Sequence, residues 1–356
     1  MKYILGIETS CDETAAAIID EDLRIVSNVV FSQIDIHKEF GGVVPEVAAR
    51  NHVKVIDKVV RLAIDKAVES FDVVDGGKGF SVADISLIAA TGKPGLPGAV
   101  MVGRIMGDCL ASALDIPFIE VNHILGHIAS VPLSLQNFER NGMMDKLCAL
   151  VSCEDMNAVK EITLGRHIAL VISGGHTALY DVGDKGRVAL IESTLDDAVG
   201  EAFDKVARIL GLPYPGGPSI EAEAEKFTGE FIKFVNQPNY NKEGFSYSGL
   251  KTAVLNYVNR IRQKGEELDI QKIAASFQKE AIAQVVHKCS RILDRTKYHI
   301  LTVSGGVSAN SYLREQIEKM CEEKDVNVYF PHKSLCGDNA AMIASAAVLR
   351  LNLVLL

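Results

Sequence analysis

Ile4-Leu5-Gly6-Ile7-Glu8-Thr9-Ser10-Cys11-Asp12-Glu13-Thr14-Ala15-Ala16-Ala17-Ile18-Ile19 reads as two apolar strands joined by a polar turn. The same plan recurs about half the chain later in Ile168-Ala169-Leu170-Val171-Ile172-Ser173-Gly174-Gly175-His176-Thr177-Ala178-Leu179-Tyr180. Two such openings predict two related lobes, a coarse internal repeat rather than a tandem array. A third apolar strand, Ile300-Leu301-Thr302-Val303, runs through Ser304-Gly305-Gly306 into a helix that opens at Ser308–Asn310.

Between these landmarks helices and strands alternate. Residues 45–70 and 99–113 carry helical periodicity, and 84–91 and 116–121 are strand-like. The clearest helix spans 194–210, with Thr194 as N-cap, Asp196 and Asp197 at its positive end, and Gly211 and Pro213 ending it. Residues 72–81 read as a surface loop and 132–166 as an excursion without sustained period. The mixture predicts an α/β fold with partly parallel sheets. At 356 residues, two domains are expected.

Composition narrows the class. Hydrophobic residues at 48% and charged residues at 23% are those of a soluble globular protein. A net charge of −9 excludes a generally basic nucleic-acid coat and leaves RNA to a local patch or a partner. Seven cysteines with no Cys-x-x-Cys pair argue against a disulfide framework or a zinc ribbon. The chain enters an apolar run at Tyr3 with no leader-like segment, and its apolar end, 340–356, is short and carries Arg350. A cytoplasmic location is expected, with the first part of that end forming a buried helix.

Several clusters carry chemistry. His123-Ile-Leu-Gly-His127 sets two imidazoles one turn apart, a two-point metal grip on one helix face. Position 124 is Ile, where His-Glu-x-x-His proteases keep their general base. Ser173-Gly174-Gly175 and Ser304-Gly305-Gly306 each follow a strand and suit backbone contacts to an anion; two copies in equivalent places point to a nucleotide held between two lobes. Each alone also fits a plain tight turn. Gly92-Lys93-Pro94-Gly95-Leu96-Pro97-Gly98 is a further glycine turn, equally readable as a rigid loop. No P-loop or Gly-x-Gly-x-x-Gly pattern is present. Gly200-Glu201-Ala202-Phe203-Asp204-Lys205, followed by Tyr214-Pro215-Gly216-Gly217-Pro218, offers Asp204, and then Glu221, to ribose hydroxyls. Glu201 and Lys205 also form an ordinary surface pair. Asp338, in Cys336-Gly337-Asp338-Asn339, reads as an N-cap or as the carboxylate that completes the histidine pair.

Taken in order, Ile7–Thr14, Gly41-Gly42-Val43-Val44-Pro45-Glu46, His123–His127, Ser173–Thr177, Gly200–Lys205, Tyr214–Pro218, Phe245-Ser246-Tyr247-Ser248-Gly249-Leu250-Lys251-Thr252, Gly305–Asn310 and Asp338-Asn339 resemble the tRNA N6-adenosine threonylcarbamoyltransferase family, once called O-sialoglycoprotein endopeptidases. The resemblance spans nearly the whole chain. It implies a two-lobed fold of the actin, sugar-kinase and Hsp70 ATPase type. Lobe I would cover 1–131, the excursion 132–166 and lobe II 167–336, with a C-terminal helix, 337–356, packing back on lobe I. It implies one divalent metal, Fe(2+) or Zn(2+), on His123, His127 and Asp338. Threonylcarbamoyl-AMP would bind at Val171, Ile172, Ser173, Gly174, Gly175, Asp204, Gly217, Glu221 and Asn310. The product would be threonylcarbamoyl-adenosine at position 37 of tRNAs reading codons that begin with A. Implied partners are tRNA, a paralogous subunit of the same ASKHA fold and a small P-loop ATPase, with no membrane. No general base is assigned.

Some residues depart from the family pattern. Lys93 replaces a usual glycine, Gly337 a threonine and Glu221 an aspartate, and 132–166 is long. Two other functions compete with the transferase: a non-catalytic nucleotide-binding scaffold, and a metalloprotease, which Ile124 opposes.

Overall fold

The computed structural model describes residues 2–74, 79–138, 165–235, 243–350 and 352–354. Strands β1 (Tyr3–Glu8), β2 (Glu13–Asp20), β3 (Ile25–Ser32), β4 (Ile85–Lys93) and β5 (Phe118–Asn122) form one sheet in the order β3-β2-β1-β4-β5. Strands β6 (His167–Ile172), β7 (Thr177–Val182), β8 (Arg187–Ser193), β9 (Ile300–Ser304), β10 (Asn327–Tyr329) and β11 (Asn352–Val354) form the second, in the order β10-β9-β6-β7-β8-β11. In both sheets the first three strands make an antiparallel meander, and the next two pair in parallel beyond the first strand. The internal repeat is therefore real. It extends from the opening hairpins to all five strands of the first sheet.

Helices cover both faces. In the first half these are α1 (Ile34–His37), α2 (Pro45–Val74), α3 (Pro97–Leu114) and α4 (His123–Phe138). In the second they are α5 (Val199–Leu210), α6 (Gly216–Ala224), α7 (Ser248–Gln263), α8 (Ile270–Thr296), α9 (Ser311–Lys324) and α10 (Ala340–Leu349). Strand alternation sorts the side chains. Tyr3, Leu5 and Ile7 pack toward α2 and α3, while Ile4 faces the other way. Ile168, Leu170 and Ile172 pack toward α5 and α8, while Ala169 and Val171 face the other way. The inward set meets α4 and α10, which lie between the sheets. Both faces of β1 and β6 are covered, which is why these strands are apolar runs without polar alternation. Helix α10 is apolar all round because it is buried on every side.

Four readings need correction. The C-terminal helix expected over 337–356 spans only Ala340–Leu349, because Arg350 takes a left-handed backbone that ends it, and 352–354 leave lobe I to pair with β8 in the second sheet. Residues 72–74, expected in a loop, continue α2, and 75–78 lie outside the described residues. Residues 132–138 of the expected excursion belong to α4, and 139–164 lie outside the described residues. The helix expected from Thr194 begins at Val199. Its intended N-terminal aspartates are spent elsewhere. Asp196 accepts from Tyr247 N (2.8 Å) and from the Ser246 and Ser248 hydroxyls (2.6 and 2.7 Å), and so fastens the start of α7. Asp197 pairs with Lys205 and Lys251, each at 2.6 Å.

The five cysteines among the described residues are unpaired. No helix among those residues is long and apolar enough to cross a membrane.

Candidate active site

The candidate metal trio, His123, His127 and Asp338, forms where the two central helices begin. Asn122 Oδ1 accepts the Ile124 N–H (2.8 Å) and starts α4, placing His123 and His127 in its first turns. Asn339 caps α10 through Met342 N (3.1 Å), leaving Asp338 just before that helix. Gly126 lets the helices approach: a Cβ there would stand 2.8 Å from Ile343 Cδ1. Asp338 Oδ1 then lies 3.6 Å from His123 Nε2 and 3.2 Å from His127 Nε2. One ligand atom from each residue falls within 4.8 Å of the others.

The donor set fits a divalent cation. His127 is fully buried, its Nδ1 meets no hydrogen-bond partner among the described residues, and its Nε2 faces only the Asp338 carboxylate. A buried imidazole so poorly satisfied is costly unless something binds it. Burial opposes charge on His123, but Asp338 and Glu8 carry its pKa up to about 9. Burial would raise the Asp338 carboxyl, and the two imidazoles instead hold it well below the usual carboxylate range. The site thus favours a carboxylate facing concentrated positive charge, the condition that a metal satisfies.

The glycine turns are not in equivalent places. Ser173–Gly175 follows β6 and Ser304–Gly306 follows β9, and these strands are parallel neighbours in one sheet. The turns stand side by side in the second half, not across from each other. Gly305 lies so close to β6 that a Cβ would come 2.4 Å from Ile172 O. The counterparts in the first sheet are the turn after β1, at Thr9–Asp12, and the Lys93–Gly95 loop after β4. There Leu96 N donates to Ser10 O (2.8 Å).

One wall of contacts joins most of the remaining residues. Gly200, near the start of α5, abuts Ser173 O and Gly174. Asp204 Oδ1 accepts the Gly216 N–H at the start of α6 (2.6 Å), and burial raises the Asp204 pKa. Glu221 accepts the Ser311 N–H (2.6 Å). Asn310 caps α9 through Leu313 N (2.8 Å) and donates to Gln278 (2.9 Å), so its amide is already engaged. Positions 174, 175, 217 and 306 have open space where a Cβ would be. Val171 and Ile172 turn their side chains into the two cores, so any contact they make with a ligand runs through backbone.

Sequence reasoning passed over several neighbours. His176, at the end of the first glycine turn, has its ring 6.2 Å from that of His123 and joins the wall to the trio. Burial and the two neighbouring imidazoles push its pKa down to about 4. Glu8 and Ser10 lie against His123 Nδ1, at 3.0 and 3.2 Å. The charge of Asp12 reaches Asp204, those of Asp12 and Glu13 reach Tyr214, and that of Asp338 reaches Glu13, so the first hairpin turn faces the cleft. The available signal was a carboxylate ending a wholly apolar strand, followed by two more.

A family model described as TsaD, tRNA N6-adenosine threonylcarbamoyltransferase, matches residues 24–159 and 143–345. Proteins named tRNA N6-adenosine threonylcarbamoyltransferase from Clostridium perfringens (strain SM101) and Caldicellulosiruptor bescii are each 42% identical, over 98% of this chain and 93% of their own length. Among solved structures, component A of the Acidaminococcus fermentans (R)-2-hydroxyglutaryl-CoA dehydratase aligns with a TM-score of 0.52 at 14% identity, covering 98% of this chain and 99% of that one. HypF of T. kodakarensis aligns at 0.57 and 14% identity, covering 98% of this chain and 47% of that one. These two likenesses concern the fold, which is that of the two-lobed actin, sugar-kinase and Hsp70-type ATPases.

Proposed function

Because the chain belongs to the tRNA N6-adenosine threonylcarbamoyltransferase family, we propose that it transfers the threonylcarbamoyl group from threonylcarbamoyl-AMP to N6 of adenosine 37 in tRNAs reading codons that begin with A. The observation carrying this reading is the placement of the His123, His127 and Asp338 trio beside the glycine-turn wall, bridged by His176. A donor end and an adenylate end of one substrate then have adjacent, chemically different seats.

The chain's residues divide the work. Backbone N–H groups of the open turn at Gly174 and Gly175 receive the phosphate. Gly217, without a side chain, lets the adenylate approach the start of α6. Asp204 and Glu221 each spend one oxygen on backbone and keep the other for ribose hydroxyls. Asn310 holds the turn after β9 in shape. His123, His127 and Asp338 would hold the metal, with iron(II) favoured by a two-histidine, one-carboxylate set and zinc the alternative. When bound, the metal supplies Lewis-acid polarisation and a template for the threonylcarbamoyl end. The adenosine amine bonds to the carbamoyl carbon as the bond to the AMP oxygen breaks. The activated anhydride needs no covalent nucleophile from the protein, so positioning is the main task.

A protease reading gains nothing here. Ile124 is buried in the core, away from the role of a general base. We further assign a cytoplasmic location and two protein partners, a paralogous subunit of the same fold and a small P-loop ATPase. Support for a partner surface comes from Val53, Met101 and Ile105, apolar side chains more than half exposed on α2 and α3. The deciding experiment incubates the protein with threonylcarbamoyl-AMP and tRNA, with and without such partners, and analyses the nucleosides. Absence of threonylcarbamoyl-adenosine under every combination refutes the assignment.

A further inference from the structure

Glu8 is a fully buried carboxylate that the reaction above does not use. It ends β1, whose other residues are buried without charge. Burying a carboxylate is costly unless its oxygens are hydrogen-bonded. Glu8 Oε1 accepts the Ser10 N–H, and Oε2 accepts from Thr91 Oγ1 (2.5 Å) and from His123 Nδ1 (3.0 Å). No lysine or arginine among the described residues forms an ion pair with it.

We infer that Glu8 is a positioning residue for the metal, acting through His123. By accepting the Nδ1–H, it fixes the tautomer whose free lone pair is on Nε2, the nitrogen that faces Asp338. A carboxylate behind a ligating imidazole also makes that ligand more basic. His127 has no such support, since its Nδ1 meets no partner among the described residues. The two imidazoles are therefore unequal: one is oriented by the first sheet, the other only by its helix. Thr91 ties Glu8 to β4, so both central parallel strands of that sheet contribute to the grip. A purely structural role, stapling β1 to β4, would cost stability without touching metal affinity. The inference rests on His123, His127 and Asp338 being metal ligands.

The test uses the full chain and zinc(II) as probe. Nitrogen-15 spectra of the zinc-loaded wild type should show His123 protonated at Nδ1 and zinc-bound at Nε2. Zinc affinity, measured by competition with a chromophoric chelator, should fall about 10- to 100-fold in Glu8→Gln. Glu8→Leu should lose at least as much. Zinc on Nδ1 of His123 in the wild type overturns the inference without any variant. So does Glu8→Gln binding zinc within threefold of wild type, even if it melts lower. Failure of the wild type to bind zinc or iron at all removes the metal reading itself, and this inference with it.

Discussion

Gly305 and Gly174 occupy look-alike turns, yet alanine at the two positions should fail in different ways. Gly305 has φ +93° and ψ 162°. That region belongs almost solely to glycine, and forcing another residue into it costs about 1–3 kcal/mol. A Cβ would also stand 2.4 Å from Ile172 O. That carbonyl is strand backbone, held in β6, and cannot swing aside. Strain and clash add, so Gly305→Ala should lose about 3 kcal/mol or more. For a chain of this length unfolding as one unit, at roughly 2.1 cal/mol/K per residue, such a loss lowers Tm by ~4 °C. Gly174 has no positive φ and nothing within 4 Å of its would-be Cβ. Gly174→Ala should therefore melt within ~1 °C of wild type, as surface changes do. Its methyl would intrude where a phosphate approaches the turn, so AMP should bind more weakly. Calorimetric melting and titration with AMP measure both effects. Gly305→Ala melting like wild type, or Gly174→Ala melting as low as Gly305→Ala, would refute the reasoning.

Three further outcomes are expected. The His123→Ala/His127→Ala double variant should keep its far-ultraviolet spectrum and lose its iron or zinc; unchanged metal by elemental analysis would remove these residues as ligands. Asp204→Ala should abolish tRNA threonylcarbamoylation with metal content intact, because Asp204 anchors the start of α6 and is the group proposed to hold the ribose; nucleoside analysis showing more than half of wild-type product contradicts this. Burial holds the pKa of His52 below its ordinary 6.5. Its neutral ring is satisfied on both sides, with Nδ1 accepting from Thr14 Oγ1 (2.7 Å) and Nε2 donating to Cys11 O (3.0 Å). For a histidine with a depressed folded pKa, the stabilisation is complete above 6.5 and is lost as pH falls below it, since the unfolded chain then binds the extra proton. The urea-measured advantage of wild type over His52→Gln should shrink from pH 7 to pH 5, and a constant or growing advantage would count against this account.

Local chemistry was legible residue by residue. Apolar runs at Ile4–Ile7 and Ile168–Ile172 announced strands covered on both faces. The spacing of His123 and His127 announced one helix face, and Gly305 announced a turn needing an unusual backbone. The repeated hairpin announced two related sheets. These features depend on neighbours a few residues apart, where period and backbone sterics leave little choice.

What the sequence could not decide was partnership across the chain. Asp196 looks like the cap of its own helix but fastens α7 through Tyr247 and Ser248, because α5 and α7 start side by side in space. The two Ser-Gly-Gly turns look like symmetry mates but are neighbours, because β9 pairs in parallel with β6. Glu8 looks like the end of a strand and proves to be the carboxylate behind His123. Asp338 reaches the histidines only because α4 and α10 pack tightly at Gly126. By itself the sequence determined the elements, their apolar faces and the family resemblance of its motifs. The tertiary structure alone decided which face covers which, since an apolar stripe records that burial is required but not the partner that provides it, and each polar contact of the site is set by that packing.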